Sequence, residues 1–592
     1  MRDMSRGDGH VKRTLIAWAL GTGTMLSPMA AAADADPDGA GFGGSGATSA
    51  YLIAKTAERH SAYDRAARAW RTVLAESPSD PRVAERAISN AINAGDMDTA
   101  IALAGDLTAR GHRSQIAALA LVCDMVRRDD WHGLSAALSG DLSVGPLVNG
   151  LARGWAALGA GRRADAEAAF DAVAATPGLK TFGLMHKAYA MSAIGDDSAA
   201  ELIWATGNDG RPLRLSRGSA LARIAGLARI GRTGAAVAIL DKLFDPAEDT
   251  EAAALREAIL HGRPPAPHVA DARDGMAETF LAVASALKGE ATDGYTLLYA
   301  RAAAFLVPDH TGVLMMQARL LDDLGLHGEA LAKWRAVPQG GAWTKARIGA
   351  ADALRALGRQ DEAIGLLGQL AASRGATGGV HLAHGDALRA AGRLDEAVEA
   401  YDAAIAAAGT GAVPWRTLFA RGVALDRAGD WEGAKADLRR ALDVAPEEPS
   451  LLSYLGRGLA KRGEAMGEAL RLVETAAAAR PDSGRIADSV GWVLHRMGRH
   501  HRAVEHLERA VSLLPADAAV NDHLGDGYWA IGREREARFQ WRRALTFVAD
   551  PADAARLRAK IEDGPRSADA VSEHVLRNGV DEPSQLAASV EN

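Results

Sequence analysis

The 592-residue chain has a single cysteine, Cys123 in "LALVCDMV". One thiol excludes a disulfide within the chain and a zinc site of the multi-cysteine type, so Cys123 is expected to be a small buried helix residue. Aromatic residues make up only 5%, and no β-branched run with turn punctuation stands out, which excludes a β-rich domain. Past the N-terminus no stretch approaches the ~20 uncharged apolar residues of a membrane-spanning helix. A dominant charge sign is also missing. The 68 basic and 75 acidic residues are mixed along the chain, with net charge −7, so no nucleic-acid footprint stands out. A phosphate loop is absent as well, because the Gly21–Thr22–Gly23 piece follows no strand. No Ser or Cys has a recognisable nucleophile setting.

What is present is alanine and a beat. Hydrophobic residues are 48% with alanine the commonest letter, which suits thin helices packed on small side chains. The chain is too long for one compact core, but a stacked array escapes that limit because each repeat touches only its neighbours. Within "NDHLGDGYWAIGREREARFQWRRAL" (521–545), a step back of 34 residues takes Gly525 to Gly491, Ala537 to Ala503 and Ala544 to Ala510. A further step takes Ala503 to Ala469, Ala510 to Ala476 and Pro515 to Pro481. This period and phase resemble the tetratricopeptide repeat (TPR), a helix-turn-helix unit of 34 residues. The Gly at position 8 and the Ala at position 20 are expected to face each other where the two helices approach most closely. The Pro ends the second helix, having no N–H to continue it.

The beat runs from Ala66, with Trp70 and Pro78, through Ala100, Leu134, Ala166 with Phe170, and Ala200. It is interrupted at "HGRPPAPHVADARDG" (261–275), where three prolines in seven residues exclude a helix interior. It resumes at Ala330, Ala363 and Ala397, then continues after an insertion at 406–415 with Ala434, Ala469, Ala503 and Ala537. The expected fold is all-α, a right-handed TPR superhelix (α-solenoid) of roughly 13 repeats. Residues 50–262 form a degenerate N-terminal array, 263–275 a Pro-rich joint, 276–562 a C-terminal array and 563–592 a mobile tail. The start, "HVKRTLIAWALGTGTMLSPMAAAADADPDG", has a basic, apolar and small-residue grammar that predicts a signal peptide over 1–33, followed by a flexible linker over 34–49. A retained membrane anchor is the alternative. No Cys follows the apolar stretch, so a lipid anchor is excluded. The expected location is exported, in the periplasm or on the periplasmic face of the envelope.

The phrases around Asp488, Ser489, Gly491 and Trp492, and Asn521 through Asp526, resemble exported alphaproteobacterial TPR proteins with "DSLGW" and "NDHLGD" in consecutive repeats. Val490 departs from the first phrase. A more distant resemblance is to outer-membrane TPR lipoproteins that tether a carboxyl-terminal processing protease, which carry a lipidated Cys that this chain lacks. These resemblances imply a non-enzymatic scaffold that holds a segment of a protein partner in its concave groove. An envelope enzyme, or an enzyme-regulating adaptor, is the alternative.

Positions 2, 5, 9, 12 and 13 of each first helix are expected to point into that groove. They supply the candidate site: Asp386, Arg389, Asp426, Arg427, Arg485, Asp488, Trp492, His495, Arg496, Asp522, Asp526 and Trp529. The competing reading is that Asp488 and Asp522 bond neighbouring repeats and the Trp residues pack. A carboxylate clamp is not expected, since position 5 of the last two full repeats is Asp488 and Asp522. His381 and His384, close to Asp386, form half a metal site at most, with no further ligand at helical spacing. His495, His500, His501 and His506 gather around one turn on the same terms. No metal or cofactor is expected.

Overall fold

The computed structural model describes residues 46–565, apart from 208–209, 245–248, 410 and 412. The expected signal segment and the tail beyond 565 lie outside the described residues. So does the expected linker up to residue 45, while residues 46–49 already belong to the first helix, Gly46–Arg59.

The described residues form thirty α-helices and no strand. Thirteen packed hairpins account for twenty-six of the helices. The local causes are plain in the sequence. Aspartates stop and start the chain: Asp80, Asp96, Asp130 and Asp550 each accept a first-turn amide, satisfying one of the donors a helix start leaves free. Prolines 81, 449 and 551 take the first helical position, where no N–H is needed. Gly95 and Gly429 close first helices in the left-handed region, at φ 81° and 98°, a conformation that costs glycine little.

Within a hairpin the fixed glycine and alanine both lie at the contact, but they do not simply oppose each other. Ala503 and Ala537 have no solvent exposure. A Cβ built on Gly491 would lie 2.5 Å from the Leu507 side chain and 3.1 Å from the Ala503 carbonyl. On Gly525 it would lie 2.3 Å from Trp541, and on Gly385 2.5 Å from Tyr401. The residue four places after the alanine therefore lies across the glycine, so a bulky side chain fills the space the glycine leaves.

The chain divides into two compact units, 1–366 and 367–592. In the first, successive hairpins stack from residue 46 to 243. The segment between Leu260 and Ala272 carries no helix; Thr250–Leu260 before it belongs to a separate cluster with Ile224 and Leu240, while helices further back share one apolar cluster, from Ala84 to Val313, with the helices after it. The reason is a return of the chain. The hairpin of helices Ala272–Leu287 and Asp293–Leu306 packs back on Pro81–Ala94, Gln115–Arg127, Pro146–Gly159 and Lys180–Ala193. Those four are first helices of their hairpins. Gly275 sits against the Trp155 ring, 2.3 Å from where a Cβ would be. The Asn93 side-chain amide donates to the Gly294 carbonyl (2.9 Å), and Arg301 Nε donates to the Asn93 carbonyl (3.1 Å). The Arg127 guanidinium lies over Phe305, 4.5 Å from the ring centre.

In the second unit the main helix contacts join elements no more than two places apart along the chain. Hairpins follow one another from Gly378 to Phe547, and helix Pro551–Asp563 takes the place of a further first helix. Its Arg556 and Lys560 stand 34 residues after Asp522 and Asp526.

Candidate interaction site

The first helices of the second unit are joined side by side by their polar side chains. Asp488 accepts from His523 Nδ1 (2.8 Å) and pairs with Arg457 (3.3 Å), so helices Pro449–Arg462, Gly484–Arg496 and Ala518–Ala530 are joined through one carboxylate. Trp492 stacks on His523, with ring centres 4.5 Å apart, and on His495 at 5.8 Å. Lys560 donates to Asp522 (2.7 Å) and Asp526 (2.7 Å), Arg556 pairs with Asp522 (2.8 Å), and Trp541 Nε1 donates to Asp526 (3.2 Å). Burial alone would raise both carboxyl groups. The Lys560 and Arg556 cations pull Asp522 below its ordinary value, while burial and the Asp522 charge leave Asp526 above its own.

This placement corrects part of the expected groove wall. Asp488, Trp492, Asp522, Asp526 and Arg389 are buried, at 2–6% exposure, and their polar ends mostly face neighbouring helices. Asp488, Asp522 and Asp526 link neighbouring repeats, Trp492 packs between His495 and His523, and Arg389 is tied within its own hairpin. Arg389 donates to the Tyr401 hydroxyl (3.1 Å) and to Asp386 (3.3 Å), while Tyr401 donates to Asp386 (2.7 Å). Asp426 accepts from Tyr454 (2.8 Å) and Arg462 (2.6 Å). Trp529 is half-buried under the Arg538 guanidinium, 5.0 Å from its ring. His495 is packed against His500, with ring centres 4.9 Å apart, and burial lowers its pKa to about 4, so it is neutral at pH 7. Arg485 lies 3.9 Å from Asp517.

Arg427 and Arg496 behave differently. Arg427 is half-buried, Arg496 is exposed, and neither has a carboxylate partner among the described residues. Arg496 reaches only the Lys461 carbonyl, at 3.4 Å. Lys461 and Arg416 share this condition and were not picked out in the sequence. A 34-residue step from Arg427 lands on Lys461, and that step was the available signal.

Histidines gather in two further places. His381 and His384 are half-buried on helix Gly378–Ala390, and burial together with the neighbouring His381 lowers the pKa of His384. In the first unit His186 is fully buried, accepts from Trp155 Nε1 at 3.1 Å, and is pushed down to about 4 by burial. Nearby, His268 lies 3.5 Å from Glu278 and edge-on to His310, 5.8 Å between ring centres. No grouping of three or more His, Cys, Asp or Glu suited to a metal occurs among the described residues.

Stacked helical hairpins with this beat define an all-α TPR solenoid. The tetratricopeptide-repeat family profile matches residues 345–412 and 419–484. A TPR repeat-containing protein of Pseudomonas aeruginosa is 33% identical over 109 residues, 18% of this chain and 18% of that protein's length. Among solved structures, the Cut9–Hcn1 hetero-tetramer of the APC/C aligns over 88% of this chain and 96% of its own, at 14% identity and TM-score 0.38. A tetratricopeptide repeat protein from Parabacteroides merdae aligns over 41% of this chain and 95% of its own, at 15% identity and TM-score 0.35. Among the described residues no helix is long and apolar enough to cross a membrane.

Proposed function

We propose that this chain is a non-enzymatic protein-interaction scaffold of the bacterial cell envelope, and that it holds a partner segment against the first helices of its second unit. The observation that carries this reading is the lateral alignment of those helices. Arg496 meets the carbonyl of Lys461, its equal in the preceding repeat, and Arg457 meets Asp488 across the same pair of helices, so successive first helices form one continuous wall. A wall preformed by packing leaves the partner to bear most of the ordering cost. The signal-peptide grammar of residues 1–33 supports export.

Site-specific photo-crosslinking in envelope preparations tests it. A crosslinker placed at Lys461 or Arg496 is expected to trap a protein partner, while one at the exposed Glu505 on the second helix of its hairpin traps none. Crosslinks from Glu505 alone would move the site to the outer face. Recovery of the chain only in the cytoplasmic fraction would remove the envelope part of the reading.

A further inference from the structure

In three successive hairpins of the second unit, between Trp415 and Leu513, the charges are sorted by helix. The three first helices Trp415–Ala428, Pro449–Arg462 and Gly484–Arg496 carry eight Arg or Lys and two Asp. Their partner second helices Trp431–Val444, Met466–Ala479 and His500–Leu513 carry six Arg or Lys and seven Asp or Glu. The surplus on the first helices is against the trend of a chain whose net charge is −7. Internal links use part of it. Arg421 pairs with Asp437 at 2.6 Å, Arg462 with Asp426 at 2.6 Å and Arg457 with Asp488 at 3.3 Å. Arg416, Arg427, Lys461 and Arg496 remain without a carboxylate among the described residues.

A cation in the last turn of a helix complements its dipole, and Arg427, Lys461 and Arg496 sit there. That does not account for the whole pattern. Arg416 is in the first turn, where the dipole opposes a cation, and the last turn of helix Ala518–Ala530 has none. Arg427, Lys461 and Arg496 instead recur at one motif position, 34 and 35 residues apart, with Arg496 touching the Lys461 backbone. Helices at about 10 Å spacing set three such cations over about 20 Å. An extended chain covers that in about six residues at ~3.3 Å each.

We propose that this stripe binds an acidic, extended segment of a partner protein, with carboxylates about three residues apart meeting Arg427, Lys461 and Arg496. The inference rests on the scaffold reading and names the chemistry of its partner. Asp426 is engaged by Tyr454 and Arg462, and Asp488 by His523 and Arg457, so the stripe offers three separate cations and no continuous basic track for a phosphate backbone. Trp492 is buried between His495 and His523, so it offers no open platform for a base.

The test titrates the full chain with a fluorescent glutamate-rich peptide of about ten residues. Its glutamine counterpart and a single-stranded oligonucleotide of similar length are run in parallel. The expected result is saturable, salt-sensitive binding of the glutamate peptide. Arg427→Gln, Lys461→Gln and Arg496→Gln together should weaken it roughly tenfold, about 1.4 kcal/mol. Arg439→Gln with Arg502→Gln on the second helices should leave it unchanged. If the triple variant does not fold, the exposed Arg496→Glu alone must still weaken binding. Equal binding of the glutamate and glutamine peptides overturns the proposal, as does tighter binding of the oligonucleotide or indifference to these substitutions. Should the peptide fail while Lys461 and Arg496 still crosslink a partner, the acidic specificity falls and the scaffold survives. Failure of both removes the scaffold reading too.

Discussion

The two units use the same hairpin differently. In the first, helices Ala272–Leu287 and Asp293–Leu306 lie on four first helices, and the surface a groove would present becomes interior. In the second, first helices are tied to their neighbours by side chains such as Asp488, His523 and Lys560, and unpaired cations stay at the surface. Conversion to a core rests on contacts such as Trp155 on Gly275 and Asn93 with Gly294, with Arg301 on the Asn93 carbonyl and the His268–Glu278 pair beside them. Retention of a wall leaves the first helices joined edge to edge by pairs such as Asp488 with His523 and Asp526 with Lys560. One repeat architecture therefore supplies either a core or a surface, depending on what the chain lays across its first helices.

The largest expected effect breaks the electrostatic half of this contrast. Lys560→Met leaves Asp522 and Asp526 buried without their shared ammonium, and should destabilise the second unit by roughly 3–5 kcal/mol. Hydrogen exchange should show lost protection over residues 484–563 and none over 81–306. Equal loss in both would mean the units are not energetically separate.

Acid comes next. His186 has an ordinary value of 6.5, held down to about 4 by burial. The neutral ring's contribution is present above the unfolded value and is lost as pH falls toward 4, roughly 3 kcal/mol in all. His268 runs the other way. Burial would lower its pKa, but Glu278 raises it, so its contribution is present below 6.5 and is lost as pH rises through the folded value. Glu278, lowered by His268 against burial, contributes above 4.5 and loses that only as pH falls through its folded value. Between pH 6.5 and 4 the His186 loss should therefore dominate this cluster. Denaturant midpoints against pH should flatten in His186→Phe, and an unchanged slope would assign the acid sensitivity elsewhere.

A smaller pair of changes sharpens the comparison by reach. Gly275→Leu drives a side chain into Trp155, and Ala503→Leu overpacks a hairpin contact, each costing about 1–3 kcal/mol. The first should loosen amides near both Asn93 and Arg301, far apart in sequence, and the second only those of adjacent hairpins. Identical spread would undo the distinction. The smallest effect is Arg496→Gln, which should change the thermal midpoint of the second unit by less than about 0.5 kcal/mol in stability. A larger change would make Arg496 a structural residue.

The sequence carried the hairpins well because their cause is local. Alanine and glycine recur at the tightest contacts, and aspartate and proline punctuate the starts. It did not announce the return of helices Ala272–Leu287 and Asp293–Leu306. The contact of Arg301 with Asn93 joins residues 208 apart, and no periodicity marks such a pairing. The groove residues were half legible. Motif position says which way Asp488 or Trp492 points, but not whether His523 from the next repeat will cover it. A 34-residue step from Asp522 and Asp526 reaches Arg556 and Lys560, so those covering cations could have been read. Lys461 is legible through the 34-residue step from Arg427, at the position five after Gly456.

The returning hairpin also sets a timetable. A simple repeat array can consolidate behind the ribosome one unit at a time. Here Asn93 waits for Gly294 and Arg301, roughly 200 residues later. At about 5–20 residues per second, the apolar face of helix Pro81–Ala94 stays uncovered for roughly 10–40 s of synthesis, and that of Lys180–Ala193 for about half as long. A ribosome stalled just after residue 262 would hold a chain whose largest sticky surface has no cover, which makes this stretch of translation the interval in which a holdase has most to bind.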